Sequence, residues 1–155
     1  MHLYLLRHAE AVPRRFADPE RELTAHGHWE IEAVARQFTP KGIVLDACYC
    51  SPYLRATQTA AHFLERVGST LVPDITEQLT PERRAKAVLA WLDPVAAEHV
   101  LIVSHNPLVS ELLAVLTGRS EAEMHIMSTC EMNALHVDLV GVGQARLLFR
   151  LAPVR

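Results

Sequence analysis

Short apolar runs alternate with amphipathic helical patterns along this chain, and this alternation limits the fold more than any other feature. Strand-like runs occupy residues 2–7, 43–50, 70–75, 99–104, 132–140 and 145–151. Apolar residues recur at helical spacing in residues 24–38, 52–67, 81–92 and 107–117. Strands that alternate with helices predict an α/β fold, with a mainly parallel six-stranded sheet between two helical layers, α/β/α.

The end of the chain predicts a departure from the parallel pattern. Leu135, Val137 and Leu139 alternate with polar residues, and Gly141-Val142-Gly143 is typical of a turn. The last two runs are therefore predicted to form a C-terminal β-hairpin, which makes the sheet mixed. Residues 9–23 show no clear period and are interpreted as a loop over the site described below.

Local signals mark the helix ends. A common capping residue precedes a proline at Ser51-Pro52, Thr80-Pro81 and Asn106-Pro107, which predicts N-caps at Ser51, Thr80 and Asn106. Gly118 follows the fourth helical pattern. It predicts the end of that helix, because glycine readily adopts the left-handed backbone found there.

Composition narrows the class of protein. The 155 residues suit one domain, 1–155, with no repeat or linker inside it. The net charge of −3 argues against nucleic acid and membrane surfaces as partners. No apolar run reaches the roughly 20 residues of a membrane span. No secretory signal is visible, so a cytoplasmic location is expected.

The three cysteines fit a reducing compartment. Cys48 and Cys50 lie in an apolar run, and with Cys130 they are interpreted as small core residues. Cys48 and Cys50 could instead form half of a metal site, although zinc sites usually separate paired cysteines by two to four residues.

Two arginines and two histidines follow predicted strands or begin predicted helices. Arg7 and His8 end the first strand, Arg55 lies in the first turn after the second, and His105 follows the run at 99–104. Ligands of open α/β sheets bind beyond the carboxyl ends of the strands, where all four side chains are predicted to meet. Together they would form a pocket for a phosphoryl group that one histidine can attack.

Each of these residues also has a structural interpretation of its own. Arg7 could be a surface ion-pair partner, and His105 could be a hydrogen-bonded boundary residue. Arg55 could be a solvated charge, but a cation at a helix N-terminus is slightly unfavourable, and a bound anion would remove that conflict. Asn106 is added to the phosphate-binding candidates, because it lies at a predicted helix N-terminus, where backbone N–H groups favour anions.

Five segments, taken in order, carry a resemblance to a known family. They are Leu6-Arg7-His8-Ala9-Glu10 and residues 18–27, 51–60, 77–81 and 103–107. The set resembles the histidine phosphatase superfamily, whose fold is called phosphoglycerate-mutase-like, and more narrowly its small SixA-type phosphohistidine phosphatase branch. Arg-His alone is a weak signal, but the ordered set spans most of the chain. Ala9 stands where the superfamily usually has glycine.

The resemblance implies a role for each residue of the pocket. His8 matches the nucleophile that is transiently phosphorylated. Arg7, Arg55 and His105 match the residues that hold and neutralise the phosphoryl oxygens. Two arginines and a protonated His105 would supply enough positive charge, so no metal and no cofactor are expected.

The proton-donating acid of larger family members has no secure match in this chain. Those members carry the acid in an inserted cap, for which the chain has no room. Glu77 and Glu82 are candidates and Glu10 is a weaker one, but a solvated surface carboxylate is the simpler interpretation of each. An open site without an acid suits phosphohistidine on a protein, because imidazole leaves more easily than an alkoxide.

Other functions stay open at this point. One is a small-molecule phosphomonoesterase on the same scaffold. Another is a phosphate-binding module without catalysis, which would not need His8. A third is a metal protein, whose candidate ligands are His26, His28, Cys48 and Cys50.

Arg14 and Arg15 could contact an acidic partner, although solvated loop charges are the simpler interpretation.

Overall fold

A mixed six-stranded sheet with helices on both faces organises the chain. The computed structural model describes residues 1–14 and 17–154. The strands are β1 (His2–Arg7), β2 (Ala47–Cys50), β3 (Asp74–Ile75), β4 (His99–Ser104), β5 (Met132–Val137) and β6 (Ala145–Leu151). The helices are α1 (Ala25–Phe38), α2 (Leu54–Arg66), α3 (Ala85–Leu92) and α4 (Leu108–Leu116). Short 3-10 helices cover Asp18–Glu20, Thr39–Lys41, Glu77–Leu79 and Glu121–Glu123.

The strand order is β3-β2-β4-β1-β5-β6. Parallel pairs join β1 to β4, β4 to β2, and β2 to β3. β5 is antiparallel to both of its neighbours, β1 and β6. The predicted mainly parallel sheet with a C-terminal hairpin is therefore confirmed, and β1 and β4 are its central strands.

Two apolar cores cover the two faces of the sheet. Alternate side chains of β1 enter different cores: Tyr4 and Leu6 pack with α1 and α2, while Leu3 and Leu5 pack with α3 and α4. All four are at most 1% exposed. Burying a large aliphatic side chain stabilises a fold by about 1.5–3 kcal/mol, so packing on both faces holds the central strands firmly.

Three predicted strands are shorter than their apolar runs. The runs 43–50 and 70–75 form strand only at Ala47–Cys50 and Asp74–Ile75. Val44 and Val72 are 76% and 82% exposed. Leu45 still packs in the core, so this part of the chain contributes some apolar packing without strand pairing. The run 132–140 pairs only as far as Val137, because the chain then turns towards β6.

The four helices lie where their periodicity predicts, but the three predicted N-caps are wrong. The N-cap positions are Tyr53, Arg84 and Pro107, up to four residues later than Ser51, Thr80 and Asn106. The side chains of the predicted caps bond to distant or neighbouring side chains and carbonyls instead. The predicted end of α4 is confirmed, since Gly118 has φ 72° just after the C-cap residue.

The predicted loop at 9–23 doubles back on itself. The Val12 N–H donates to the Glu22 carbonyl at 2.9 Å, and a short 3-10 helix follows the tip of the loop. Arg14 is exposed and lies 3.9 Å from Asp18, while Arg15 lies outside the described residues. Gly27 packs its α-carbon so close to the Glu10 carbonyl that any side chain would collide with it.

None of the helices in the described ranges is both long enough and apolar enough to cross a bilayer.

Candidate active site

Three adjacent parallel strands bring polar residues to one edge of the sheet. His8 follows β1, Ser51 follows β2 and His105 follows β4, and these strands lie side by side. The N–H of His8 donates to the Ser104 carbonyl at 3.0 Å, and the N–H of Ser51 donates to the Val103 carbonyl at 3.1 Å. The sheet hydrogen bonds therefore continue into the site and hold its backbone.

The hydrogen bonds of His8 determine which ring nitrogen can react. Nδ1 lies 2.7 Å from the Ala9 carbonyl oxygen, which only accepts, so Nδ1 carries the proton. The Nε–H of Arg55 donates to Nε2 at 3.3 Å, so Nε2 carries a lone pair. Both contacts select the same tautomer, and they leave Nε2 as the nucleophilic atom.

Arg55 is buried in the site and contacts His8, Asp18 and Tyr53. Its side chain donates to the backbone carbonyl of Asp18 at 2.8 Å and lies 3.4 Å from the Asp18 carboxylate. Its guanidinium carbon lies 4.9 Å from the centre of the Tyr53 ring. With 2% of the residue exposed, Arg55 is not the solvated helix charge of the simpler interpretation.

Asp18 joins Arg55 to a further arginine, Arg21. The Nε–H of Arg21 donates to the Asp18 carboxylate at 2.9 Å, and its Nη1 donates to the Val12 carbonyl at 2.9 Å. Burial raises the pKa of Asp18, but Arg55 and Arg21 outweigh it and lower that pKa below its ordinary value. An ionised Asp18 therefore anchors the loop over the site.

His105 faces His8 across the pocket. The two ring centroids are 5.1 Å apart, and the Tyr53 ring meets His105 edge-on at 5.1 Å. Nε2 of His105 lies 2.7 Å from the Ser51 hydroxyl. Nδ1 is buried and has no hydrogen-bond partner among the described residues. Nδ1 is therefore the nitrogen of His105 whose hydrogen-bonding capacity the described residues leave unused.

Arg7 lies beside these residues and binds a neighbouring loop. Its Nη1 donates to the Met127 carbonyl at 3.0 Å, while its Nε is buried and has no partner within the described ranges. Asn106 donates to the same carbonyl at 2.9 Å and accepts a hydrogen bond from Ser110. The Asn106 amide thus holds this loop, and its contact with phosphate stays a prediction.

The three candidate acids lie at or outside the rim. Glu77 and Glu82 are exposed, and Glu82 accepts a hydrogen bond from Thr80 at 2.8 Å. Glu10 is exposed and accepts a hydrogen bond from Thr24 at 2.9 Å. None of the three hydrogen-bonds to His8 or His105 in the described part of the chain, so the identity of an acid stays open.

The alternative metal ligands of the sequence are not brought together. Cys48 and Cys50 are buried in the core beside α1 and α2, and burial raises the pKa of Cys50 to about 11. His26 stacks on Trp29, and His28 meets His62. Within residues 1–14 and 17–154, none of these four belongs to a group of three metal-binding side chains.

Local sequence patterns do not predict three contributors to the site. Ser51 has the pattern of a helix cap but binds His105, and Asp18 and Arg21 lie in a segment without a period. Asp18 and Arg21 fall within the family-like segment 18–27, which is the one sequence signal that includes them.

Burial and neighbouring charges keep both histidines neutral. Burial first, and then the charges of Arg55 and Arg7, lower the pKa of His8 to about 3. Burial, followed by His8 and Arg55, lowers the pKa of His105 to about 2. The sequence predicts a protonated His105 around a bound phosphoryl group, and this stays a prediction, since the dianion would have to raise the pKa of His105.

These shifts lead to an expected pH dependence. An unperturbed histidine has a pKa of about 6.5 and is mostly protonated at pH 5. In phosphate-free buffer at that pH we expect His8 and His105 to remain neutral, because their pKa values lie below it. Long-range proton–nitrogen NMR would measure this, and adding vanadate should shift His105 towards the protonated form. Ordinary titration of both rings near pH 6.5 would contradict the assignment.

The fold and this site define a class of protein, which sequence comparison also supports. The profile of the histidine phosphatase superfamily (branch 1) matches residues 3–81. Phosphohistidine phosphatase SixA of Escherichia coli (strain K12) is 34% identical over 150 residues, covering 92% of this chain and 89% of that protein. The chain therefore belongs to the histidine phosphatase superfamily.

The chain is also similar to two other SixA proteins, one by sequence and one by structure. The phosphohistidine phosphatase SixA homolog of Haemophilus influenzae (strain ATCC 51907 / DSM 11121 / KW20 / Rd) is 32% identical over 129 residues, which are 77% of this chain and 79% of that protein. A solved structure of the protein histidine phosphatase SixA with tungstate has a TM-score of 0.84 and 27% identity, covering 99% of this chain and 97% of that one. The phosphoglycerate-mutase-like fold is thus confirmed.

Proposed function

We propose that this chain is a metal-independent phosphatase that removes phosphate from phosphohistidine on a protein, through a phosphohistidine intermediate on His8. The observation that carries the proposal is the unprotonated Nε2 of the buried His8, whose lone pair accepts a hydrogen bond from Arg55. Phosphate binding alone needs no such nucleophile. The SixA proteins of E. coli and H. influenzae are named for this activity, which supports the proposal.

In the first step the phosphoryl group is transferred to His8. Its oxygens bind Arg7, Arg55 and Nδ1 of His105, and the Nε–H of Arg55 turns from His8 to an oxygen. Nε2 of His8 then attacks phosphorus as the bond to the leaving nitrogen breaks in line. The charge on the equatorial oxygens is stabilised by guanidinium groups already in place, which is the main source of catalysis in phosphoryl transfer.

In the second step water hydrolyses the phosphoenzyme. Water attacks phosphorus, the bond to Nε2 breaks, and inorganic phosphate leaves with Arg7, Arg55 and His105 around it. The hydrogen bond from Nδ1 to the Ala9 carbonyl keeps His8 in one orientation through both steps. The bound dianion favours the protonated form of His105, which can then donate to a phosphoryl oxygen.

The chemistry of the leaving group favours phosphohistidine over phosphate esters. An ester releases a strongly basic alkoxide, which needs a proton from a positioned acid. The exposed Glu77 and Glu82 are weakly placed for that task, and each stays only a candidate acid. A protonated phosphohistidine releases neutral imidazole, which needs no such acid. A single domain without a cap, as we propose for residues 1–155, would admit a protein surface to His8.

A small-molecule phosphomonoesterase is the second candidate function. The observation that favours it is the carboxylate of Glu82, which Thr80 holds by a hydrogen bond near Tyr53 and the pocket. If Glu82 or Glu77 reached a leaving oxygen, ester hydrolysis would become efficient. We propose a cytoplasmic location, where the three free, buried cysteines would not be expected to form disulfides.

Rates on matched substrates test the proposed substrate class. We expect kcat/KM for a phosphohistidine-containing protein to exceed that for simple phosphomonoesters by at least about 100-fold, since only the ester requires a general acid, an effect of about 10²–10⁴. Release of inorganic phosphate from both substrates, measured side by side, gives the ratio. A strong preference for the esters would disprove the phosphohistidine proposal, and a loss of that preference in Glu82→Gln would identify the acid.

A further inference from the structure

A second cluster of polar side chains lies at the opposite end of β1 from His8. His2 stacks on His99 with ring centroids 4.6 Å apart, and it meets His136 edge-on at 5.2 Å. The strand register places His2 beside His99 on β4 and beside His136 on β5. At a rise of about 3.3 Å per residue, the cluster lies roughly 16 Å along β1 from Arg7. It therefore takes no part in chemistry at His8.

We propose that His2, Glu98 and His99 bind a Zn²⁺ ion. One ligand atom from each residue lies within 4.8 Å of the other two. Two imidazole nitrogens and a carboxylate oxygen suit Zn²⁺, which binds them at about 2.0–2.2 Å. Because the His2 and His99 rings stack at an interplanar angle of 12°, they must turn out of this stack for both to direct a nitrogen at one ion, with water as the fourth ligand.

The backbone already holds the three residues in place. The N–H of His2 donates to the Glu98 carbonyl at 2.6 Å, which ties the start of β1 to the residue before β4. The N–H of His99 donates to the Asp46 carboxylate at 2.8 Å. His2 and His99 stand on the central strands β1 and β4, and Glu98 directly precedes β4, so regular backbone positions the ligands, as precise metal sites require.

The orientation of His99 is set by a buried tyrosine. Nδ1 of His99 hydrogen-bonds the Tyr4 hydroxyl at 2.8 Å, which leaves Nε2 for the metal. Histidines that bind metals usually have their other nitrogen held in this way. Nδ1 of His2 is buried with no partner in the described residues, so an unpaired nitrogen is already present in the cluster.

The neighbouring His136 is not part of the proposed ligand set. Its Nε2 lies 2.9 Å from the Asp138 carboxylate, which already occupies that nitrogen. Bound Zn²⁺ would link β1 to β4 at the edge opposite His8 and stabilise the sheet there. This proposal departs from the expectation of no metal drawn from the sequence, although the proposed reaction at His8 still needs none.

Direct titration tests the proposal. We expect purified protein without a histidine tag to bind one Zn²⁺ in competition with a chromophoric chelator, and its melting temperature to rise on addition of Zn²⁺. His99→Ala and Glu98→Gln should each weaken binding by at least about tenfold, and Tyr4→Phe by about tenfold, as is typical for the partner of a ligand. Since Glu98 is exposed, Glu98→Gln gives a folded variant even if His99→Ala does not fold.

Two other histidine pairs supply the controls. His28 and His62 have ring nitrogens 3.0 Å apart on the helical face, and His8 faces His105 in the active site. His28→Ala and His8→Ala should leave Zn²⁺ affinity unchanged. The proposal is overturned if no Zn²⁺ binds, if Glu98→Gln and His99→Ala bind it normally, or if either control variant abolishes binding.

Discussion

Replacing His8 with alanine is expected to lower the rate of phosphohistidine hydrolysis by at least about 10⁴-fold, an effect in keeping with the loss of a nucleophile in other covalent enzymes. The arginines can still bind phosphate, but no lone pair remains to attack phosphorus. Water would have to attack directly, without a group positioned to activate it. Release of inorganic phosphate from a phosphohistidine protein measures the loss.

Two further variants separate lost chemistry from lost structure. His8→Asn retains a polar side chain in the buried position and is expected to bind substrate without turning it over. His26→Ala removes a histidine whose side chain is 44% exposed, and its activity is expected to equal that of the wild type. Circular dichroism checks that each variant is folded. Near-normal turnover by a folded His8→Ala protein would refute the role of His8.

Replacing Arg55 with lysine is expected to reduce kcat/KM by about 10²-fold or more, comparable to the loss of one positioned donor in an oxyanion site. Lysine keeps the charge but loses the planar fork that can bind two oxygens at once. It also cannot reach His8 and Asp18 together, as Arg55 does through separate nitrogens. Inhibition by vanadate should weaken in parallel, which steady-state assays would show.

The same helix offers a matched control for this change. Arg66 lies in α2, is about half exposed and pairs with Glu32 at 2.8 Å on the protein surface. Arg66→Lys is expected to leave kcat/KM and vanadate inhibition unchanged. Equal effects of the two substitutions, or full activity of Arg55→Lys, would show that Arg55 does not bind the phosphoryl group.

The layout of the sheet and the position of the pocket could be predicted from the sequence. Apolar periodicity reports burial, and the burial of β1 and β4 on both faces appears as two nearly continuous apolar runs. Parallel strands end at one edge, so residues after them converge whatever their distance along the chain. His8 and His105 are adjacent in space for this reason.

Side-chain contacts that depend on the tertiary structure could not be predicted from the sequence. Ser51 precedes a proline and has the local signature of a helix cap, yet it binds His105, which is 54 residues away. Asp18 lies in a segment without a period and meets Arg55 across 37 residues. The histidine cluster around His2 depends on the register of β1 against two other strands, and no local pattern encodes that register.

Trapping the phosphoenzyme tests the central claim most directly. Enzyme mixed rapidly with a ³²P-labelled phosphohistidine protein and quenched in alkali, which preserves phosphohistidine, would be digested and analysed by mass spectrometry. We expect transient label on the peptide that contains His8, and none in the His8→Asn variant. Label on another residue, or turnover without any labelled His8 peptide at early times, would contradict the proposed mechanism.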